Sequence, residues 1–210
     1  MAIIKNIILD LGGVIINLDQ SATIRAFNGL IQELHFEKIY SQAQQTDLFD
    51  RLDKGWISND DFFDQLAQLI GFVGDRKLLE DAWNAMLLKV PEHRLNLLIE
   101  LKPRYRTFLL SNTCEPHITY FEKELYGDHG VRNFEDYFEK VYYSCRMGLR
   151  KPDPAIFLKV MSENGLKPDE TVFIDDSLQH VEGARSCGIQ AHLLQKGQEL
   201  ADLLKTLSLL

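Results

Sequence analysis

The sequence predicts a doubly wound, mostly parallel α/β sheet with an α-helical lobe inserted into it. Three observations carry that reading. Five short apolar runs alternate with longer stretches of helical spacing, the runs are apolar on both faces, and the first two are separated by a long segment with no convincing strand. A strand buried on both faces needs helices above and below it, which is the condition of a parallel sheet.

The elements follow in order. "IIKNIILD" is the first strand, ending on the acid Asp10 ahead of Gly12 and Gly13. From about residue 18 to 90, "SATIRAFNGLIQELHF", "DDFFDQLAQLIG" and "RKLLEDAWNAMLLKV" have apolar residues at helical intervals, with Asp60 and Asp61 placed to cap or charge a helix start. "PEHRLNLLIELK" is a helix leading into the strand "RTFLLSN". "KVYYSC" is the third strand, and "PAIFLKVMSENG" a helix opened by Asp153 as N-cap and Pro154 at its first position. "ETVFIDD", the helix "LQHVEGARSCG" and "IQAHLL" complete the pattern. The expected organisation is an α/β core from residues 1–17 and 91–210 and a helical domain over 18–90. No Pro/Gly/Ser linker separates them, so the insert should be closely tethered.

Composition narrows the function classes. The chain has 210 residues, 45% hydrophobic and 26% charged, enough for one core with an appended lobe. A formal net charge of -8 argues against nucleic acid or an anionic membrane as partner, because no bulk of cations is present to displace phosphate counterions. Cys114, Cys145 and Cys187 are odd in number, far apart and in no C-x-x-C pattern, which fits a reducing compartment. No apolar run reaches membrane-spanning length and "MAIIKN" lacks a signal-peptide core, so the expected location is the cytoplasm.

In open parallel sheets, ligands bind beyond the carboxyl ends of the strands. Asp10 follows the first strand, Ser111 and Asn112 the second, and Asp175 and Asp176 the fourth, while Lys151 precedes the "DPAIF" helix. Singly, each has a plainer reading as a turn, cap or loop residue. Together they are harder to dismiss. Two carboxylates 4 Å apart repel by about 4 kcal/mol at an effective dielectric near 20, so three converging acids require a cation among them. Carboxylates without His or Cys companions suit Mg²⁺, which keeps waters and accepts a phosphate oxygen. Lys151 would supply a second positive charge, and Ser111 with the amides around Asn112 would bind the remaining phosphate oxygens. Asp10 is then placed as a nucleophile toward phosphorus.

"DLGGV", "SNT", "KPDPAIF" and "FIDDSLQHVEGARSCG" resemble, in order and context, the four motifs of the haloacid dehalogenase-like hydrolase superfamily. The resemblance implies a Rossmann-like core with a small helical cap after the first strand. It also implies Asp10 as nucleophile, Mg²⁺ held by Asp10, the main-chain carbonyl of Gly12, Asp175 and Asp176, with Ser111 on the phosphate and Lys151 as stabilising cation. The nearest likeness is to phosphatases of small sugar phosphates, with a hexose 1-phosphate among the candidate substrates. Most such enzymes carry a second Asp where this chain has Gly12, and that acid protonates the leaving group. Asp19 is the nearest replacement in sequence, although it equally fits a helix N-cap, and a water held by Asn17 is another. Without the acid, leaving groups that depart readily as anions should be favoured. Trp56 reads as either a sugar-stacking ring or packing; Arg25, Arg51 and Lys54 are candidates to meet a charged substrate tail; His180 is expected near the metal pair without a catalytic role. The competing readings are a 2-haloacid dehalogenase, for which the Asp175/Asp176 pair would be a liability, a mutase-type phosphotransferase, and a non-enzymatic domain that keeps the phosphate pocket.

Overall fold

The computed structural model describes residues 3–31 and 47–210. Its centre is a five-stranded sheet, β1 (Asn6–Leu9), β2 (Arg106–Ser111), β3 (Lys140–Tyr143), β4 (Thr171–Asp175) and β5 (Gln190–Leu193), in the order β3-β2-β1-β4-β5. Every pairing is parallel, with Ile8 opposite both Phe108 and Phe173. Because side chains alternate along a strand, Ile7, Leu9, Leu109, Val172 and Ile174 enter one apolar cluster and Ile8, Phe108, Leu110 and Phe173 another. The sheet is thus buried on both faces, as the runs of uninterrupted apolar residues require. Strand order reverses at β1, which opens the crevice at the carboxyl ends of β1 and β4.

The helices outside the insert are α5 (Glu92–Leu101), α6 (Glu115–His129), α7 (Ser144–Met147), α8 (Pro154–Asn164), α9 (Leu178–Ser186) and α10 (Leu200–Thr206). Among the described residues four others precede them, α1 (Gln20–Leu30), α2 (Asp47–Asp53), α3 (Asn59–Ile70) and α4 (Arg76–Asn84). Those four gather round a cluster of their own, in which Phe27, Phe49, Phe62, Phe63 and Trp83 are buried and Phe49 stacks on Trp83 at 5.5 Å between ring centres. Among the described residues the α/β core contributes Cys114 to this cluster, and its Sγ accepts from Trp83 Nε1 at 3.4 Å. An isolated antiparallel bridge between Leu18 and Leu87 brings the two strands of the connection together at its base.

Local signals behave as their chemistry dictates. Ser58 caps α3 by accepting from Asp61 N, while Asp60 and Asp61 lie in its first turn. Asp153 caps α8 through Ala155 N, with Pro154 next. The helical spacing of "RKLLEDAWNAMLLKV" is overrun by tertiary structure: α4 stops at Asn84, because the chain must turn back for Leu87 to reach Leu18. The expected helix continuing past Ile31 lies outside the described residues. All three cysteines are free, and no helix among the described residues is long and apolar enough to cross a membrane.

Candidate active site

Each strand of the crevice delivers its residue to one place. Asp10 leaves β1 with its N–H bonded to Ile174 O at 3.0 Å, which ties it to the end of β4, and Asp175 closes that strand. One carboxylate oxygen from each of Asp10, Asp175 and Asp176 lies within 4.8 Å of the others. Three carboxylates therefore share one small volume.

Lys151 is the counterweight. Its side chain is fully buried, and its Nζ is ringed by three oxygens: Asp175 Oδ2 at 2.6 Å, Leu110 O at 2.8 Å and Asp10 Oδ1 at 2.9 Å. Two of these contacts, to Leu110 O and Asp175, are aligned hydrogen bonds, and Asp10 is held as a close ion pair. Burial alone would strip Lys151 of its proton, but Asp10 and Asp175 hold the charge and raise its pKa. Asp175 also accepts from Ser177 N at 2.8 Å and meets His180 Nδ1 at 3.0 Å. Burial pushes its carboxyl up, yet Lys151 and His180 outweigh this and bring it to about 2. Asp10 and Asp176 fare differently. Burial first and the neighbouring charge of Asp175 as well raise both to about 6, although Lys151 opposes the rise at each. Three carboxylates against one lysine leave two negative charges without an equal partner, and the shortfall falls on this pair.

The two glycines resolve into different causes. Gly13 has φ +71°, a left-handed conformation that costs other residues energy, and a Cβ there would fall inside the carboxylate of Asp176. It is bare because Asp176 occupies its side-chain space. A Cβ on Gly12 would meet only Leu18 Cδ1 at 2.8 Å, the mobile end of a side chain. Nothing in the backbone forbids a side chain at that position.

The cluster opens into a cavity of about 900 Å³ whose walls come from core and insert together. Asp10, Gly12, Ser111, Asn112, Lys151 and Asp176 line it from the sheet; Phe49, Asp50, Asp53, Lys54 and Trp83 line it from the inserted helices. Arg150, the neighbour of Lys151, crosses between them, reaching Asp50 Oδ1 at 3.2 Å and Asp53 Oδ2 at 3.3 Å. His117 packs flat on Trp83 at 5.2 Å and its Nε2 donates to Trp83 O at 3.1 Å.

The structure thus brings Asp10, Ser111, Asn112, Lys151, Asp175 and Asp176 to one site, with Gly12 on its rim. Asn112, expected near phosphate through the amides around it, has its side chain engaged elsewhere. Its side-chain Oδ1 accepts from Lys151 N and its Nδ2 donates to Lys151 O, both at 2.8 Å, so the amide is committed to holding the lysine's backbone and any contact to phosphate falls to its main chain. Asp19 is the N-cap of α1, accepting from Ser21 N and paired with Arg25 at 2.9 Å; those partners lower its pKa, the reverse of what a proton donor needs. Asn17 accepts from Arg94 Nη1 at 3.0 Å. Trp56 is 62% exposed with the Lys54 ammonium over its ring at 4.6 Å, and it does not line the cavity; neither do Arg25 and Arg51, whereas Lys54 does. Sequence reasoning missed Asp53 and Arg150, whereas His180 lies beside Asp175 as its expected place near the metal pair requires. The "RK" of "RKPDP" offered a signal for Arg150, but its partners lie about a hundred residues away in the chain.

Comparison with known proteins agrees with this geometry. Residues 4–188 match the family model described as haloacid dehalogenase-like hydrolase. A D-ribitol-5-phosphate phosphatase from Bacteroides thetaiotaomicron is 30% identical over 210 residues, covering 97% of this chain and all of the relative. A HAD family enzyme from the same organism, solved with magnesium and inorganic phosphate, superposes with a TM-score of 0.89 at 34% identity, covering 96% of this chain and 98% of that one. An L-2-haloacid dehalogenase from Xanthobacter autotrophicus shares the fold at 19% identity and a TM-score of 0.62, covering 98% of this chain and 83% of that one. With the matched segment spanning most of the sequence and every motif placed at the same sheet edge, the chain belongs to the haloacid dehalogenase-like hydrolase family.

Proposed function

We propose that this hydrolase is a magnesium-dependent phosphatase of a small phosphorylated polyol or sugar, working through an acyl phosphate formed on Asp10. The observation that carries the reading is the convergence of Asp10, Asp175 and Asp176 within 4.8 Å about the buried ammonium of Lys151. The phosphatase named among the full-length relatives supports the reaction class, and its phosphopolyol the substrate class.

The residues present fit Mg²⁺. Asp10 Oδ1 is buried with no aligned hydrogen bond, its contact with Lys151 being a close ion pair only, and the donor set is all oxygen. Asp10, Asp176 and the carbonyl of Gly12 would hold the ion. Asp175 already receives Lys151, Ser177 N–H and His180, so its part is to anchor the lysine and add charge. When bound, the ion neutralises the acids and polarises the phosphoryl group.

The chain's own residues do the rest. Ser111 and the main chain beside it orient the phosphate at the carboxyl end of β2. A carboxylate oxygen of Asp10 attacks phosphorus, the P–O bond to the leaving group breaks, and Lys151 balances charge on the nucleophile and on the transferring group. The departing oxygen takes its proton from water, since position 12 carries no acid. Attack of a second water on phosphorus returns Asp10 and releases inorganic phosphate. Asp10→Asn with p-nitrophenyl phosphate and Mg²⁺ tests this: hydrolysis should vanish in the variant and, in the native chain, under EDTA. Activity that survives chelation would overturn the magnesium requirement, EDTA-insensitive halide release from a 2-haloacid would favour the dehalogenase-type alternative, and a phosphorylated product in place of free phosphate would favour a mutase.

A further inference from the structure

Resting on the phosphatase reading, we infer that Asp53, with Asp50 beside it, recognises hydroxyl groups on the leaving half of the substrate, making the preferred class phosphate monoesters of polyhydroxylated chains. The cavity has two polar ends. One is the Asp10, Ser111 and Asp176 cluster, and the other is built by Asp50, Asp53 and Lys54 of the insert with Arg150 of the core.

The second end is built for neutral donors. Lys54 is drawn to Asp50 at 2.8 Å and Arg150 bridges both acids, so among the described residues the two carboxylates already face two cations and offer an ionic group little net charge. Asp53 is the member with capacity to spare. Its contact with Arg150 at 3.3 Å is an ion pair, and among the described residues it makes no hydrogen bond, although a carboxylate has about four acceptor sites. Burial raises its pKa to about 6, while 21% of its side-chain surface stays open. A hydroxyl supplies the missing donor without a charge. Placing Asp50 and Asp53 three residues apart on α2 lets neighbouring hydroxyls of one chain meet neighbouring acids.

The test compares a pentitol 5-phosphate with n-pentyl phosphate, which share length and a primary-alcohol leaving group and differ in hydroxyls, with p-nitrophenyl phosphate as a third substrate. The native protein should prefer the pentitol ester in kcat/KM, and Asp53→Ala should erode that preference by about tenfold to hundredfold, chiefly through KM. Asp53→Asn, nearly isosteric, should erode it less, and serves if the alanine variant does not fold. Equal losses on both esters would show a structural role for Asp53 and overturn the inference, as would a native protein indifferent to the hydroxyls or one that prefers an aminoalkyl phosphate. Failure to hydrolyse p-nitrophenyl phosphate with Mg²⁺ would instead overturn the phosphatase reading, and this inference with it.

Discussion

The side-chain amide of Asn112 clasps the backbone of Lys151 on both sides of its Cα, accepting from its N–H and donating to its carbonyl at 2.8 Å each. The clasp fixes the stem from which the buried ammonium reaches Asp10 and Asp175. Asn112→Asp keeps the acceptor but loses the donor, and Asn112→Leu loses both. The expected costs in stability are about 1–3 kcal/mol, larger for Leu, because each variant strands a part-buried backbone group. Turnover should fall more than KM rises, since the lysine and not the phosphate loses its support. A phosphate-binding role for the Asn112 side chain would give the opposite split in steady-state kinetics.

Lys151→Met leaves Asp10 and Asp175 facing each other in a buried site with no cation. Removing one partner of a buried pair costs about 3–5 kcal/mol. Chemical denaturation should show a loss of that order, and added Mg²⁺ should restore part of it by binding the folded state. A variant as stable as the parent would mean that the lysine charge is not structural.

Positions 12 and 13 should respond in opposite ways. Gly13→Ala must adopt a positive φ and displace the Asp176 carboxylate, so calorimetric Mg²⁺ binding should weaken at least tenfold while the fold persists. Gly12→Asp requires only that Leu18 yield, so the variant should fold. Its added acid should raise the hydrolysis of alkyl phosphates about tenfold or more relative to aryl phosphates, whose leaving groups need no proton. A flat ratio would reveal that a surrogate donor is already at work.

His117 should make the protein sensitive to mild acid. Burial against Trp83 lowers its pKa from 6.5 to about 4, despite the bond to Trp83 O. The folded state then resists a proton that the unfolded chain accepts, so the contribution is complete above about pH 6.5 and is lost as pH falls toward 4. The full difference is about 3 kcal/mol. His117→Gln, which keeps a donor but does not titrate, should show a shallower loss of denaturation free energy over that window than the native protein. Parallel curves would mean that His117 is solvated.

Much of this molecule was legible because its signals are local. "FIDD" reads as a buried strand ending in acids whether or not its neighbours are known, and the same holds for "IILD" and "RTFLLSN"; parallel order follows from the helices between them. The site was legible in outline, since strand ends in such a sheet must meet. What escaped were relationships between distant residues. Asp53 sits in a seven-residue helix that periodicity does not reveal, and its partner Arg150 resembles any loop cation until the fold joins them. Asn112 could be placed near phosphate from position alone, but its clasp on Lys151 depends on the course of a loop thirty-nine residues on. Asp19 was ambiguous for another reason: capping and proton donation ask for the same residue, and only the Arg25 pairing and exposure tell them apart.

The thiol of Cys114 belongs to the core by sequence yet lies, 1% exposed, inside the aromatic cluster of the inserted helices. Any swing of those helices that widens the entrance must pull this sulfur out of its greasy socket. Alkylation of Cys114, slowed further by a pKa raised through burial, would then measure any such opening, and a bound product analogue that holds the helices in place should slow it.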